Sequence, residues 1–294
     1  MTIVILPGVA AVAQAYDGFV LDLWGVIHDG HKPYPDAIDC LTRLHGARQG
    51  TGKSIVMLSN APRRSEGVIE AMTAMGIGRG LYDGVVTSGE MTWQALKRRD
   101  DSWHAGLGRR CLHIGPARDH GLFDGLDVER VSEPGNAEFV VNTGPWRDEE
   151  KLEDYMPLLA ACAARRLPMI CANPDLEVIR GGVRIICAGT LAAHYESLGA
   201  PVRYHGKPYA AAYDAYLAQI GLADRARILA VGDSLITDIA GAAAAGIDTL
   251  LVTSGIHGEE LGLAYGQHPD AARLERVCAG RGVMPKMATA AFRW

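Results

Sequence analysis

Three aspartates, a serine, an asparagine and a lysine stand where short apolar runs of this sequence give way to turns. Asp22 lies near the end of the run 19–23, Ser59-Asn60 follow the run 55–58, and Gly232-Asp233 follow the run 228–231. Lys207 follows Gly206 and precedes Pro208, and Asp238 lies five residues beyond Asp233. Together these residue types suit phosphoryl transfer. A carboxylate can attack phosphorus and form an acyl phosphate. Mg²⁺ prefers oxygen ligands, typically one or two carboxylates plus phosphate and waters, and Asp22 and Asp233 supply the carboxylates. Ser59 and the neighbouring backbone N–H groups can hold the equatorial oxygens, with Lys207 offsetting their charge. Asp238, at the opening of the next helix, would orient either the waters of the metal or Lys207. Taken singly, each residue has a plainer role. An aspartate at a strand end often caps a helix or forms a turn, and a lone lysine is usually a surface residue. Their occurrence together favours the chemistry.

Residues more than 200 positions apart can meet only if the chain folds as a layered sheet. Short apolar runs alternate with helical spacing, which predicts an α/β fold with a doubly wound parallel sheet. Strands are expected at 19–23, 55–58, 85–86, 228–231 and 249–252, with a second set at 112–114, 139–141 and 169–171. Helices are expected at 35–46, 65–75, 209–220 and 237–245. In an open parallel sheet ligands bind in the crevice beyond the carboxyl ends of the strands, which is where Asp22, Ser59, Asn60 and Asp233 would converge. Lys207 is expected at a helix start, where anions bind well. The middle of the chain carries its own strands and helices between flexible turns at 87–89 and 199–201. That predicts an inserted domain at 88–200 within a core made of 1–87 plus 201–294.

A length of 294 residues fits two domains, and the composition, 48% hydrophobic and 21% charged, is that of an ordinary soluble protein. The net charge of −5 and scattered arginines argue against a nucleic-acid surface, which needs clustered cations. Pairs such as Arg63-Arg64 are expected on solvated helix faces. The six cysteines form no C-x-x-C pair and are expected reduced and mostly buried. No signal peptide and no membrane span is expected, so the chain reads as cytoplasmic.

Four motifs in order carry a family resemblance. They are Asp22-Leu23-Trp24-Gly25-Val26, Ser59-Asn60-Ala61-Pro62-Arg63, Gly206-Lys207-Pro208, and Gly232-Asp233-Ser234-Leu235-Ile236-Thr237-Asp238. Over nearly its whole length the chain resembles the haloacid dehalogenase-like (HAD) hydrolase superfamily, class IIA, the NagD and nitrophenylphosphatase type. Ile27-His28-Asp29 is similar to the stretch after the first motif of that class. Asn173-Pro174-Asp175 and Gly181-Gly182 are similar to a segment of its α/β cap. The resemblance implies Asp22 as nucleophile, Ser59 and Lys207 as phosphate-binding residues, and Asp233 as a Mg²⁺ ligand supported by Asp238. It further implies that the residue two after the nucleophile binds the metal through its backbone carbonyl, and that in the phosphatases its aspartate side chain shuttles protons.

Here that residue is Trp24. Its carbonyl suffices for a metal, but an indole N–H cannot shuttle protons near neutral pH. Losing a general acid–base costs about 100- to 10,000-fold in rate, and most for poor leaving groups. Three functions follow: a Mg²⁺-dependent phosphatase that is slow or recruits another acid, His28 being nearest; a non-hydrolytic binder of a phosphorylated metabolite; or a different bond cleavage such as dehalogenation, which the retained Asp233 and Asp238 disfavour. His28, His194, His205 and His257 otherwise read as structural. A cap of this size favours a small-molecule phosphate substrate over macromolecules. Asn60, Arg63, Asn173, Asp175 and the Trp146-Arg147 loop are candidate substrate-binding residues. Relatives of this type often form homodimers through the cap, and no feature of the sequence decides it here.

Overall fold

Aliphatic and β-branched runs buried on both faces make the strands, as parallel sheets covered by helices on either side require. The computed structural model describes residues 2–47, 53–222 and 224–294. In chain order its strands are β1 (Val4–Leu6), β2 (Gly18–Leu21), β3 (Ser54–Ser59), β4 (Gly84–Thr87), β5 (Arg110–Ile114), β6 (Glu129–Val131), β7 (Phe139–Asn142), β8 (Met169–Cys171), β9 (Glu177–Arg180), β10 (Val183–Ile186), β11 (Val202–Tyr204), β12 (Ile228–Gly232), β13 (Asp248–Val252) and β14 (Met287–Thr289). One sheet runs β1-β14-β13-β12-β2-β3-β4 and another β11-β8-β7-β5-β6, and every pairing in both is parallel. β9 and β10 pair antiparallel as a separate hairpin.

Successive residues of a strand point to opposite faces, and the larger sheet uses both. Phe19, Leu21, Leu229 and Val231 pack to one side with Leu41, Leu44, Val68 and Met72 of the helices Ala37–Ala47 and Ser65–Ala74. Val20, Val56 and Leu58 pack to the other with Tyr213 and Tyr216 of the helix Ala210–Ile220. The smaller sheet repeats the plan. Val140, Met169 and Cys171 meet Tyr155, Leu159 and Tyr195, while Phe139, Val141 and Ile170 meet Leu96, Leu122 and Phe123. All six cysteines are buried and free, and no helix among the described residues is long and apolar enough to cross a membrane.

The smaller sheet is spliced in between β4 and β12. β11 pairs with β8, so we place the return to the larger sheet after Tyr204 rather than at the 199–201 turn. Local structure departs from expectation at three further points. β2 closes at Leu21, leaving Asp22 just past the ladder. The helix expected at 237–245 opens as one wide turn, Leu235–Ile239, before the short helix Ala240–Ala244. There the Ile239 N–H reaches back to the Ser234 carbonyl at 3.1 Å, the five-residue spacing of a π turn, common at functional sites. Finally, Gly181 and Gly182 (φ +55° and +83°) turn the β9–β10 hairpin. A two-residue turn of this kind needs positive φ, so the Gly-Gly pair was its signal.

Where the chain recrosses between the sheets, a hydrogen-bond chain runs from exposed Asp101 through buried His104 and His205 to Thr92. Asp101 Oδ2 meets His104 Nδ1 at 2.6 Å, the two Nε2 atoms lie 3.2 Å apart, and His205 Nδ1 meets Thr92 Oγ1 at 2.9 Å. One imidazole N–H must donate to the other ring's bare nitrogen, so both rings cannot be protonated together. Burial first, then the His104 and Arg203 charges, depresses the His205 pKa to about 3, with Asp101 opposing. The unfolded chain binds this proton below about 6.5. The neutral ring's contribution to stability is therefore complete above about 6.5 and is lost as pH falls toward 3. Thermal unfolding followed from pH 7.5 to 4.5 should show a falling melting temperature whose slope is reduced in His205→Gln; an unchanged slope would show that this ring is not a source of it.

Candidate active site

The register of the larger sheet brings the site together. Leu21 of β2 stands opposite Val231 of β12 on one side and Met57 of β3 on the other. The Asp22 N–H donates to the Val231 carbonyl at 2.9 Å. Asp22 and Asp233 therefore leave neighbouring strands at almost the same height, and Ser59 ends the strand on the other flank. This is the crevice beyond the carboxyl edge where open α/β sheets bind ligands.

One oxygen each of Asp22, Asp233 and Asp238 lie within 4.8 Å of one another, and all three residues are buried. Lys207 Nζ donates to Asp22 Oδ1 and to Asp238 Oδ1, both at 2.6 Å. Asp238 Oδ2 also accepts from the Ser234 N–H at 3.0 Å, and Asp233 Oδ2 from the Ile256 N–H at 2.7 Å. Space around Asp233 is kept by glycine. A Cβ on Gly25 would lie 1.8 Å from Asp233 Oδ2, and one on Gly255 2.2 Å from it. Gly25 also has φ +75°, a conformation side chains rarely adopt.

The electrostatics follow from crowding acids in a buried volume. Burial, then the Asp238 charge, pushes the Asp22 carboxyl up to about 7, with Lys207 opposing. Burial and the charges of Asp22 and Asp238 hold Asp233 well above the ordinary carboxylate range. Burial alone would lower the Lys207 pKa, but Asp22, Asp238 and Asp175 overcome it and hold the ammonium charged. Three close carboxylate oxygen donors, two of the carboxylates bonded to a single ammonium, form a hard-oxygen set that suits Mg²⁺ or a similar divalent ion.

Lys207 is not at a helix start as expected. The helix begins at Ala210, and Lys207 lies in a turn closed by the Tyr209 N–H on the Gly206 carbonyl at 3.0 Å, its bond to Pro208 being cis. Asn60 fixes this turn. Its Oδ1 accepts from the Lys207 N–H at 2.8 Å, and its Nδ2 donates to the Lys207 carbonyl at 3.0 Å and to Asp175 Oδ1 at 2.9 Å. Asn60, a candidate substrate-binding residue, lines the smaller cavity and uses its amide to tie the second motif to the third and to the cap. Ser59 is buried, its Oγ accepting from the Ala61 N–H at 3.3 Å. Asn173 Oδ1 accepts from the Asp175 N–H at 3.1 Å.

Two cavities open on this cluster, one of about 740 Å³ and one of about 80 Å³, and both are lined by Asp22, Trp24 and Asp175. Ser59, Asn60, Arg63 and Asn173 line the smaller, whereas Asp233 and Asp238 line the larger. Trp24 lines both. Its ring lies across Gly30, where a Cβ would come within 2.1 Å of Cη2. His28 packs edge-on to it at 5.3 Å, and the Arg180 guanidinium lies 5.3 Å from its centroid.

Other candidates fall elsewhere. His28 is buried, its Nδ1 accepting from the Gly30 N–H at 3.1 Å, and burial lowers its pKa to about 4. It lines neither cavity. Trp146 packs on Tyr155, and Arg147 pairs with Glu150 at 2.9 Å, both away from the cavities. The Arg63-Arg64 pair is not a solvated face: Arg63 lines the smaller cavity, and Arg64 pairs with Glu90 at 2.6 Å over the Trp93 ring. Arg118, Asp119 and Arg180, which line the same cavity, were not anticipated. Only Arg180 had a signal, its place just before the Gly181-Gly182 turn.

Comparison with known proteins agrees with this geometry. Residues 19–129 match the haloacid dehalogenase-like hydrolase family, and residues 204–277 match the HAD-hydrolase-like family. No curated protein sequence matches the chain. Among solved structures, a hydrolase of the haloacid dehalogenase-like family from Brucella suis is 35% identical, covering 98% of this chain and 99% of its own, with a TM-score of 0.81. The p-nitrophenyl phosphatase from Archaeoglobus fulgidus (23% identity, 94% and 97% coverage, TM-score 0.67) shares the fold. So does the glycerol phosphate phosphatase from Mycobacterium tuberculosis in complex with calcium (24% identity, 90% and 76% coverage, TM-score 0.61). With a core sheet, an inserted cap and this similarity along its whole length, the chain belongs to the haloacid dehalogenase-like hydrolase family.

Proposed function

We propose that the chain is a Mg²⁺-dependent phosphatase of small phosphate monoesters, with Asp22 as nucleophile. The observation that carries this is the Asp22 carboxylate, held by Lys207 at 2.6 Å beside Asp233 and Asp238 at the mouth of two cavities. The phosphatases that share the fold support it.

Asp22, Asp233 and the Trp24 backbone carbonyl, with Asp238 in support, would hold the ion, whose charge neutralises the phosphate oxygens and favours attack by an anion. Lys207 orients Asp22 by a direct hydrogen bond and adds positive charge beside the phosphate. Ser59 and nearby N–H groups cradle the phosphate oxygens. Asp22 attacks phosphorus, the ester P–O bond breaks, and its electron pair leaves on the ester oxygen. Water then hydrolyses the aspartyl phosphate, restoring the carboxylate and releasing inorganic phosphate. Trp24 offers no proton to the leaving oxygen. His28 does not replace it, being buried, neutral near pH 7 and outside the cavities. Departure is therefore governed by the stability of the leaving oxyanion, and phenolic or acyl phosphates should be cleaved far better than alkyl esters.

The occupied acid–base position favours one alternative, a protein that binds a phosphorylated metabolite without hydrolysing it. Phosphate release across a panel of small monoesters with Mg²⁺ separates the two. On the phosphatase reading, aryl esters exceed alkyl esters by about 100-fold or more, the scale of a missing general acid. Asp22→Asn should lose about 1,000-fold or more, as loss of a nucleophile does. Folded, metal-loaded protein that releases nothing from the whole panel would establish the binder instead.

The metal site has its own test. Mg²⁺ should raise the melting temperature of the native chain, and EDTA should reverse this. Asp233→Asn removes one of the crowded like charges, so it should melt no lower than the native chain in EDTA and gain little from Mg²⁺. An equal gain in native and variant would place the ion elsewhere.

A further inference from the structure

The segment after β13 meets the Asp233–Asp238 turn at three consecutive residues. Gly255 leaves room for Asp233 Oδ2, and the Ile256 N–H donates to that oxygen at 2.7 Å. His257 Nε2 then accepts from the Leu235 N–H at 3.2 Å. Leu235 opens the wide turn that carries Asp238, so its N–H has no helical carbonyl behind it. Leu235 and His257 are both buried, and a buried N–H left unanswered is costly. The imidazole answers this one.

The ring is arranged for that role. Nε2 can accept only if it carries no proton, which puts the N–H on Nδ1. Nδ1 lies 3.3 Å from Glu260 Oε2, and Arg281 Nη2 donates to the same oxygen at 2.6 Å. Glu260 therefore selects the tautomer that leaves Nε2 bare. Burial keeps the ring neutral by lowering its pKa, with the Glu260 bond opposing. Glu260 sits on the short helix Gly258–Leu261, where the Leu261 N–H donates to the His257 carbonyl at 2.9 Å. One turn of chain thus sets both the ring and its partner. A histidine kept only for its volume would need neither contact.

We propose that His257 is a positioning residue of the Mg²⁺ site: by holding the Leu235 N–H it keeps Asp233 and Asp238 close enough to serve one ion. This rests on the reading of those carboxylates as holders of the ion. Mg²⁺ tolerates little departure from octahedral geometry, so a slack turn would bind it more weakly while the fold stays intact. Partners of this kind, one step removed from the ligands, typically change metal affinity by about 10- to 100-fold.

Calorimetric titration of EDTA-stripped protein with Mg²⁺ alone tests this without turnover. His257→Leu should raise the Mg²⁺ dissociation constant about tenfold or more. His257→Gln, whose Oε1 can accept in place of Nε2, should recover most of that loss. Glu260 is exposed, so its variants spare the core. Glu260→Met should loosen binding severalfold, whereas Glu260→Gln, which drops the charge but keeps an acceptor for the Nδ1–H, should stay near the native value. Melting in EDTA separates this from general destabilisation: a lower melting temperature in His257→Leu with unchanged Mg²⁺ affinity would overturn the proposal. Equal losses in the two variants at either position would trace to bulk or charge and overturn it too. Should His257→Leu fail to fold, native affinity in Glu260→Met overturns it. A native chain that binds no Mg²⁺ would remove the metal reading and this inference together, whereas native binding unchanged in the variants removes this inference alone.

Discussion

A single ammonium group organises this molecule. Lys207 Nζ sits 2.6 Å from both Asp22 and Asp238, inside a volume that also holds Asp233 and Asp175. Buried carboxylates repel one another and each loses hydration, so without that cation the cluster would have to protonate or open. The surroundings are built to deliver it. Asn60 grips the Lys207 backbone at both its N–H and its carbonyl. Gly206, at φ +117°, leaves room for that grip, since a Cβ there would lie 2.4 Å from Asn60 Oδ1. Tyr213, from the following helix, donates to the Asp238 carbonyl at 3.0 Å, so the wide turn carrying Asp238 is pinned from the same side.

The same clamp joins the two sheets. Asn60 belongs to the larger sheet and Asp175 to the inserted segment, and their 2.9 Å hydrogen bond joins the two beside Lys207. The β9–β10 hairpin adds a second crossing, with Arg184 pairing Glu259 at 3.1 Å and Arg180 lying over Trp24. Such exposed pairs contribute little stability singly, but they aim the hairpin. Its residues line both cavities, so any movement of the insert reshapes both.

Much of this was legible from the chain because two periodicities and a set of strand-end residues carry it. Apolar runs at 55–58, 228–231 and 249–252 contain no competing helical spacing, and they are strands. Asp22 and Asp233 were legible because strand ends of a parallel sheet converge whatever lies between them, and Asp238 because it follows Asp233 by five residues. Contacts set by backbone geometry were not. That Lys207 precedes its helix in a separate turn depends on the path of Gly206 and Pro208. That the Asn60 amide bonds the inserted segment depends on where Asp175 lands, 115 residues away. Arg118 and Asp119 come from a short irregular helix, Ala117–Phe123, with no periodicity to announce them. The hairpin was signalled by Gly181-Gly182, but its flanking strands are four residues each and weakly patterned.

Trp24 and Gly30 form one steric unit. The indole occupies the volume that any side chain at position 30 would need, and it carries on its other side the guanidinium that shapes the smaller cavity. Exchanging the indole for a small acid would do more than supply a proton donor. It would open a void whose cost grows with its size and release Arg180 from its platform. A variant with a small acid at position 24 would therefore need a larger residue at position 30 to refill the space. The tryptophan is thus a packing element, and a change at position 24 is felt at Gly30, at Arg180 and in both cavities at once.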